Sequence, residues 1–191
     1  MRAKEIRPTL LIALFIIFVG GAVLLGILGS APTKVTAPAK IGAMKVSHDP
    51  STLKNWDSTD QRVEVNKTEV DLANSDYELG YGLIQIAAVG GVVKDVEVSV
   101  VPKSGNFKIE LYSAAPGIQD LVANNEPFSI REGEVIPIQY YVTMKKGTWS
   151  DGSYYIGITV SAPESGCSDV VAEEEGGTCD YAGQVEVYVY S

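Results

Sequence analysis

The chain has 191 residues and a formal net charge of −9 at pH 7, from 15 Lys and Arg against 24 Asp and Glu. The acidity is concentrated in residues 62–191, where 8 basic and 20 acidic residues give a net charge of −12. A surface of that sign argues against nucleic acid as a partner and against docking on anionic lipid head groups.

The first predicted element is an apolar segment at residues 10–28, which contains no charged side chain. A helix of roughly 20 apolar residues crosses the hydrocarbon core of a bilayer, so we expect a transmembrane helix at residues 8–30, embedded in the lipid. The basic tip at residues 1–7 places the N-terminus in the cytoplasm and the rest of the chain outside. The alternative is a long signal sequence cleaved after Ala31, which would release a secreted protein.

The next segment, residues 31–61, is predicted to be a flexible stalk. Three prolines interrupt it, and neither a helical nor an alternating pattern is sustained along it. A short piece at residues 40–46 offers a different possibility, pairing as an edge strand with another subunit through backbone hydrogen bonds.

From residue 62 onward the chain alternates apolar and polar residues in about seven segments separated by turn signals. This period of two predicts strands with one buried face and one solvated face. The predicted strands lie within residues 62–72, 81–89, 92–101, 107–111, 135–144, 154–160 and 184–190. No helix is expected among them. Two sheets packed face to face would bury every apolar face, so we predict an all-β sandwich, with a closed barrel as the second solution.

Cys167 and Cys179 are the two cysteines, and both follow the apolar segment. A cysteine pair in an exported domain is most simply a disulfide. The surrounding loop is rich in carboxylates, and Ca²⁺ takes roughly 6–8 oxygen ligands at flexible geometry, which makes calcium a possible cofactor and the only one expected. The candidate ligands are Asp169, Glu173, Glu174, Glu175 and Asp180.

The one histidine, His48, falls in the predicted stalk. A catalytic triad needs its base held within hydrogen-bond reach of the nucleophile, and a blue-copper site needs two histidines. We therefore predict that the chain is not an enzyme and does not transfer electrons through copper.

Two surface features remain. Asn66 begins the sequon Asn-Lys-Thr, which makes it a candidate glycosylation site in an exported domain. The last strands carry Tyr155, Tyr188 and Tyr190 on their outward faces, and tyrosine is enriched at binding surfaces as well as in strands generally.

The order of these segments resembles the immunoglobulin-like modules of prokaryotic, especially archaeal, cell-surface proteins. The resemblance covers residues 62–191 and is carried by Val-rich strands such as 95–100, a Glu-Gly-Glu turn at 132–134 before an Ile-x-Ile strand, and the segment 152–160. It implies a seven-stranded immunoglobulin-like sandwich that contacts a cell-envelope or surface-layer protein, or a second copy of itself. The alternatives are a calcium- or ligand-binding module that uses the acidic loop, and an extracellular filament or archaellum-associated subunit that donates a strand.

Overall fold

The computed structural model describes residues 39–191. The predicted transmembrane helix at residues 8–30 and the first part of the predicted stalk lie outside these residues. Among the residues that are described, no helix has the length and apolar character needed to cross a membrane.

Ten strands and two short helices make up the described part of the chain. The strands are β1 (Ala43–Asp49), β2 (Trp56–Asp57), β3 (Arg62–Asn66), β4 (Tyr77–Val89), β5 (Val93–Pro102), β6 (Phe107–Tyr112), β7 (Phe128–Ile130), β8 (Val135–Met144), β9 (Gly152–Ser161) and β10 (Asp180–Tyr190). The helices are α1 (Gln119–Ala123) and α2 (Asp169–Glu175).

The strands form two sheets. The order is β1-β4-β8-β6 in the four-stranded sheet and β2-β3-β10-β9-β5-β7 in the six-stranded sheet. Neighbouring strands run antiparallel except β3 and β10, which are parallel. One hydrophobic core, drawn from both sheets, lies between them. The predicted all-β sandwich is therefore confirmed.

The burial of the long strands follows the alternation in their sequences. In β8, every second residue from Ile136 to Met144 is at most 1% exposed. In β10, Val185, Val187 and Val189 are buried to the same degree. Because burying a Val or Ile side chain contributes roughly 1.5–3 kcal/mol, a register slip by one residue would exchange this gain for buried polar groups.

The stalk predicted at residues 31–61 is wrong where the structure describes it. Residues 43–49 are β1, which pairs with β4 in seven consecutive positions, from Ala43 opposite Val89 to Asp49 opposite Leu83. Residues 43–46 of the edge strand suggested at residues 40–46 thus pair with β4 of this same chain. The alternation was hidden because the third inward position of β1, after Met44 and Val46, is the polar residue His48.

Two predicted loops contain short helices, contrary to the expectation that none would occur. α1 has five residues and α2 has seven, too few to show a sustained 3.6-residue period. The ends of α2 are nevertheless marked in the sequence. The side chain of Ser168 accepts a hydrogen bond from the N–H of Val171, and Gly176 adopts the left-handed conformation that closes many helices.

Candidate functional site

The disulfide loop joins β9 to β10 and also holds β1. Cys167 and Cys179 are bonded, with their Cα atoms 5.7 Å apart, which confirms the predicted disulfide. Within the loop, the N–H of Ser168 donates to the carbonyl of Gly42 at 2.8 Å. Met44 and Thr178 exchange two backbone hydrogen bonds of 2.9 and 2.7 Å. The loop is therefore a clasp on the start of β1.

The carboxylates predicted to bind calcium do not converge. Four of them lie on α2, and the fifth, Asp180, begins β10. Successive residues of a helix point about 100° apart, so the consecutive glutamates of α2 cannot face one ion. Within residues 39–191, no three of these five side chains bring ligand atoms within 4.8 Å of one another. The geometry gives no support to a calcium site there, and calcium binding by this loop stays a prediction from the sequence.

A different set of carboxylates does converge, at the edge of the six-stranded sheet. Ligand oxygens of Asp57, Asp60 and Glu64 lie within 4.8 Å of one another. The guanidinium of Arg62 lies 2.9 Å from Asp60 and 2.8 Å from Glu64, and it also stacks over the ring of Tyr188 at 4.3 Å. Because Arg62 already pairs with Asp60 and Glu64, a cation at this triad would have to compete with two salt bridges.

Two of the tyrosines singled out from the sequence lie together on the outer side of this sheet. Tyr188 and Tyr190 stack with ring centroids 5.9 Å apart, and Tyr155 lies on the neighbouring strand opposite Glu186. All three are partly buried. Arg62 covers Tyr188, so this face presents a packed surface of tyrosine and salt bridges.

The outer side of the four-stranded sheet carries a cleft of about 480 Å³, which we call the tyrosine cleft. It is lined by side chains from β4, β8 and β6, namely Glu78, Glu110, Tyr112, Tyr141 and Thr143. Tyr112 and Tyr141 are each 40% exposed, more than any other aromatic side chain among residues 39–191. The ring of Tyr81 packs against that of Tyr141 at 5.5 Å and extends the aromatic surface.

Strand pairing places the side chains that line the tyrosine cleft next to one another. Glu110, Tyr141 and Tyr81 lie opposite one another on β6, β8 and β4. The hydroxyl of Tyr141 donates to the side-chain oxygen of Gln139 at 3.0 Å, which fixes the ring on the sheet. Glu110 is paired with Lys108 at 3.0 Å. The result is an exposed aromatic surface with carboxylates at its rim, a composition that suits contact with another molecule.

Beneath the four-stranded sheet, His48 and Tyr140 form a hydrogen-bonded pair. The His48 Nε2 and the Tyr140 hydroxyl are 2.7 Å apart, and Tyr140 is fully buried. The Tyr140 ring lies directly over Gly82, its partner across the strand pair. Burial lowers the pKa of His48 below 6.5, opposed by the charge of Asp49, and burial raises the pKa of Tyr140.

We expect the protein to lose stability in mild acid because of His48. Its pKa is lowered on folding, so the unfolded chain binds a proton more readily than the folded one. The contribution is complete above pH 6.5 and is lost as the pH falls through the folded-state pKa. Urea unfolding between pH 8 and pH 5 measures it, and the slope near pH 6 should disappear in His48→Gln because the chain has no other histidine. An identical slope in both proteins would contradict the assignment.

Comparisons with known proteins found similarity to solved structures alone. The chain matches no family model and no curated protein. Among solved structures it matches a family 123 glycoside hydrolase from Clostridium perfringens, studied for glycolipid glycan hydrolysis, with a TM-score of 0.42 and 13% identity. The match covers 77% of this chain and 27% of the hydrolase, so the chain spans about a quarter of that protein's length.

This match contradicts the prediction that the chain is not an enzyme, and that prediction is withdrawn. A similarity of this extent assigns neither a catalytic residue nor a substrate to residues 39–191. Evidence on function therefore comes from the surfaces described above.

Proposed function

We propose that the chain is an extracytoplasmic interaction protein. Its folded domain has an immunoglobulin-like topology, is tethered by the transmembrane helix predicted at residues 8–30, and contacts a protein of the cell envelope through the tyrosine cleft. The cleft is the observation that carries this proposal, because it exposes clustered aromatic side chains on a sheet whose opposite face is a closed core.

The order of the strands supports the immunoglobulin-like topology. Such domains place strands A, B, E and D in one sheet and C, F and G in the other. Here β1, β4, β8 and β6 are the counterparts of the first set, and β5, β9 and β10 are the counterparts of the second. β3 pairs parallel to β10. In an immunoglobulin-like domain this corresponds to a short part of the first strand that lies beside the last strand. The extra strands β2 and β7 extend the second sheet at its edges.

The charge of the domain indicates the chemistry of the partner. Residues 62–191 carry a net charge of −12, and the rim of the tyrosine cleft includes Glu78 and Glu110. Opposite charges steer association and penalise wrong partners. We therefore expect a partner surface that is basic at its rim and offers an apolar or aromatic centre to Tyr112 and Tyr141.

Site-specific crosslinking in native membranes tests the surface. A photoreactive phenylalanine replaces Tyr112 in the full chain, and we expect a discrete adduct of higher mass after irradiation. Adding Tyr141→Ser should weaken the contact by about 2 kcal/mol, roughly thirtyfold, because exposed tyrosines at the centre of an interface carry much of its energy. The melting temperature should be unchanged, since Tyr141 is 40% exposed and lies outside the core.

The matched control places the same photoreactive residue at Tyr155, on the outer side of the other sheet. No adduct should form there. Equal adducts from both positions, or none from Tyr112, would contradict the proposed surface.

N-terminal sequencing of the native protein tests the tether separately, because a mature chain that begins after Ala31 would be a released protein.

A further inference from the structure

The end of β3 presents an asparagine whose side chain is held in one orientation. Asn66 Oδ1 accepts two hydrogen bonds, from the backbone N–H of Thr68 at 2.9 Å and from the Thr68 hydroxyl at 2.7 Å. Asn66 Nδ2 donates to the carboxylate of Glu69 at 3.2 Å. All three contacts come from the turn that contains the sequon Asn66-Lys67-Thr68.

A carboxamide nitrogen carries two N–H groups, and only one of them is used here. Among residues 39–191, no side chain or backbone group accepts a hydrogen bond from the second N–H of Asn66. Asn66 also lines an open cleft of about 430 Å³, together with Asn55, Glu69 and Tyr190. There is room beside the amide for another group, and every existing contact of Asn66 would survive its addition.

We propose that Asn66 is the attachment site of an N-linked glycan. The inference rests on the proposed location of the domain outside the cytoplasm, where lipid-linked sugar donors are used. The sequon supplies the recognition pattern, and within it the hydroxyl of Thr68 donates to the amide oxygen of Asn66. The fold adds what the pattern alone lacks, namely an oriented amide with one uncommitted N–H beside open space.

The transfer balances without a redox partner. The donor is a sugar linked through its anomeric carbon to a polyprenyl phosphate, supplied together with the transferase. A bond forms between Asn66 Nδ2 and the anomeric carbon, and the bond from that carbon to the phosphate oxygen breaks. The lipid phosphate leaves with the electron pair, and one amide proton passes to a base of the transferase. The other N–H stays on Asn66 and still reaches Glu69.

The position of Asn66 determines which surface the glycan would shield. Asn66 lies opposite Tyr190 in the pairing of β3 with β10, on the same sheet as the Asp57–Asp60–Glu64 network. A glycan there would cover the outer side of the six-stranded sheet. The tyrosine cleft belongs to the other sheet, so the modification would leave the proposed contact surface open.

The intact mass of the full chain, purified from the membranes of cells that make it, tests the inference. We expect a mass above that of the polypeptide, and the excess should vanish in Asn66→Gln and in Thr68→Ala. Thr68→Ser should retain it, because serine also completes the sequon. The matched control is Asn74→Gln, which alters an exposed asparagine that, like Asn66, has a side-chain bond to an acidic neighbour, here Asp71, but begins no sequon. This control should leave the excess mass unchanged.

A native mass equal to that of the polypeptide, or an excess that persists in Asn66→Gln, would overturn the inference. Labelling of intact cells with a membrane-impermeant lysine reagent separates this failure from failure of the proposed location. An unmodified chain that is labelled from outside overturns the glycan alone. An unmodified chain that is protected overturns both the glycan and the location.

Discussion

Gly82→Ala is expected to lower the free energy of unfolding by roughly 2–4 kcal/mol. A Cβ atom added at Gly82 would overlap the hydroxyl and the ring carbons of Tyr140. Tyr140 is fully buried, so its ring cannot move into solvent without opening the core. Its displacement would also break the hydrogen bond to His48. Urea denaturation monitored by tryptophan fluorescence measures the loss.

Gly157→Ala is the matched control, because Gly157 is also a buried strand glycine. A Cβ atom there would meet only the end of the Lys103 side chain, which can swing into solvent. We expect this variant to change stability by less than about 0.5 kcal/mol. The pair Gly82→Ala and Tyr140→Leu should be strongly non-additive, since the shorter side chain removes the overlap. Additive losses would show that the contact between Gly82 and Tyr140 is not the cause.

Removal of the disulfide is the second large effect. The double variant Cys167→Ala, Cys179→Ala should lose about 3 kcal/mol, because the cross-link no longer restricts the unfolded chain across a separation of 12 residues. For a domain of this size, each kcal/mol lowers the melting temperature by roughly 2–4 °C. The melting temperature of the double variant should equal that of the wild type measured with a reductant.

The hydrogen bonds between the disulfide loop and β1 predict where the loss of stability appears first. Met44 and Thr178 bond through their backbones across the loop and β1, so their amide hydrogens should exchange faster in the double variant. Ser168→Ala is the control, since it removes only the cap of α2 and should cost about 1 kcal/mol. Unchanged exchange at Met44 in the double variant would contradict the role of the loop as a clasp.

Alternation along the sequence predicted the strands that are long and half buried. β8 and β10 carry a valine, isoleucine or other apolar residue at nearly every second position, and all of these face the core. β2 and β7 have two and three residues, too few for any period to be visible. The alternation did not predict β1, because one of its inward positions is the polar residue His48. The hydrogen-bond partner of His48 is Tyr140, which lies 92 residues away in the sequence.

The candidate site was harder to predict than the fold. The alternation in β8 places Tyr141 on the outer face, but it does not say which strands lie beside it. The tyrosine cleft exists because β8 lies between β4 and β6, a pairing set by long-range contacts. The disulfide was predictable from the number and position of the cysteines. In the acidic loop the sequence pattern did not reveal the helix, which turns its consecutive glutamates away from one another.

The hydrogen bonds between the disulfide loop and β1 affect how the domain bears tension. Tension that enters from the N-terminal side of the chain reaches β1 before any other strand of the described domain. The loop holds Gly42, the residue before β1, and Met44 within β1, at the very end where the load arrives. Its two anchoring cysteines follow β9 and precede β10, whereas β1 itself belongs to the other sheet. A pull would thus be shared between both layers of the sandwich instead of peeling one edge strand away.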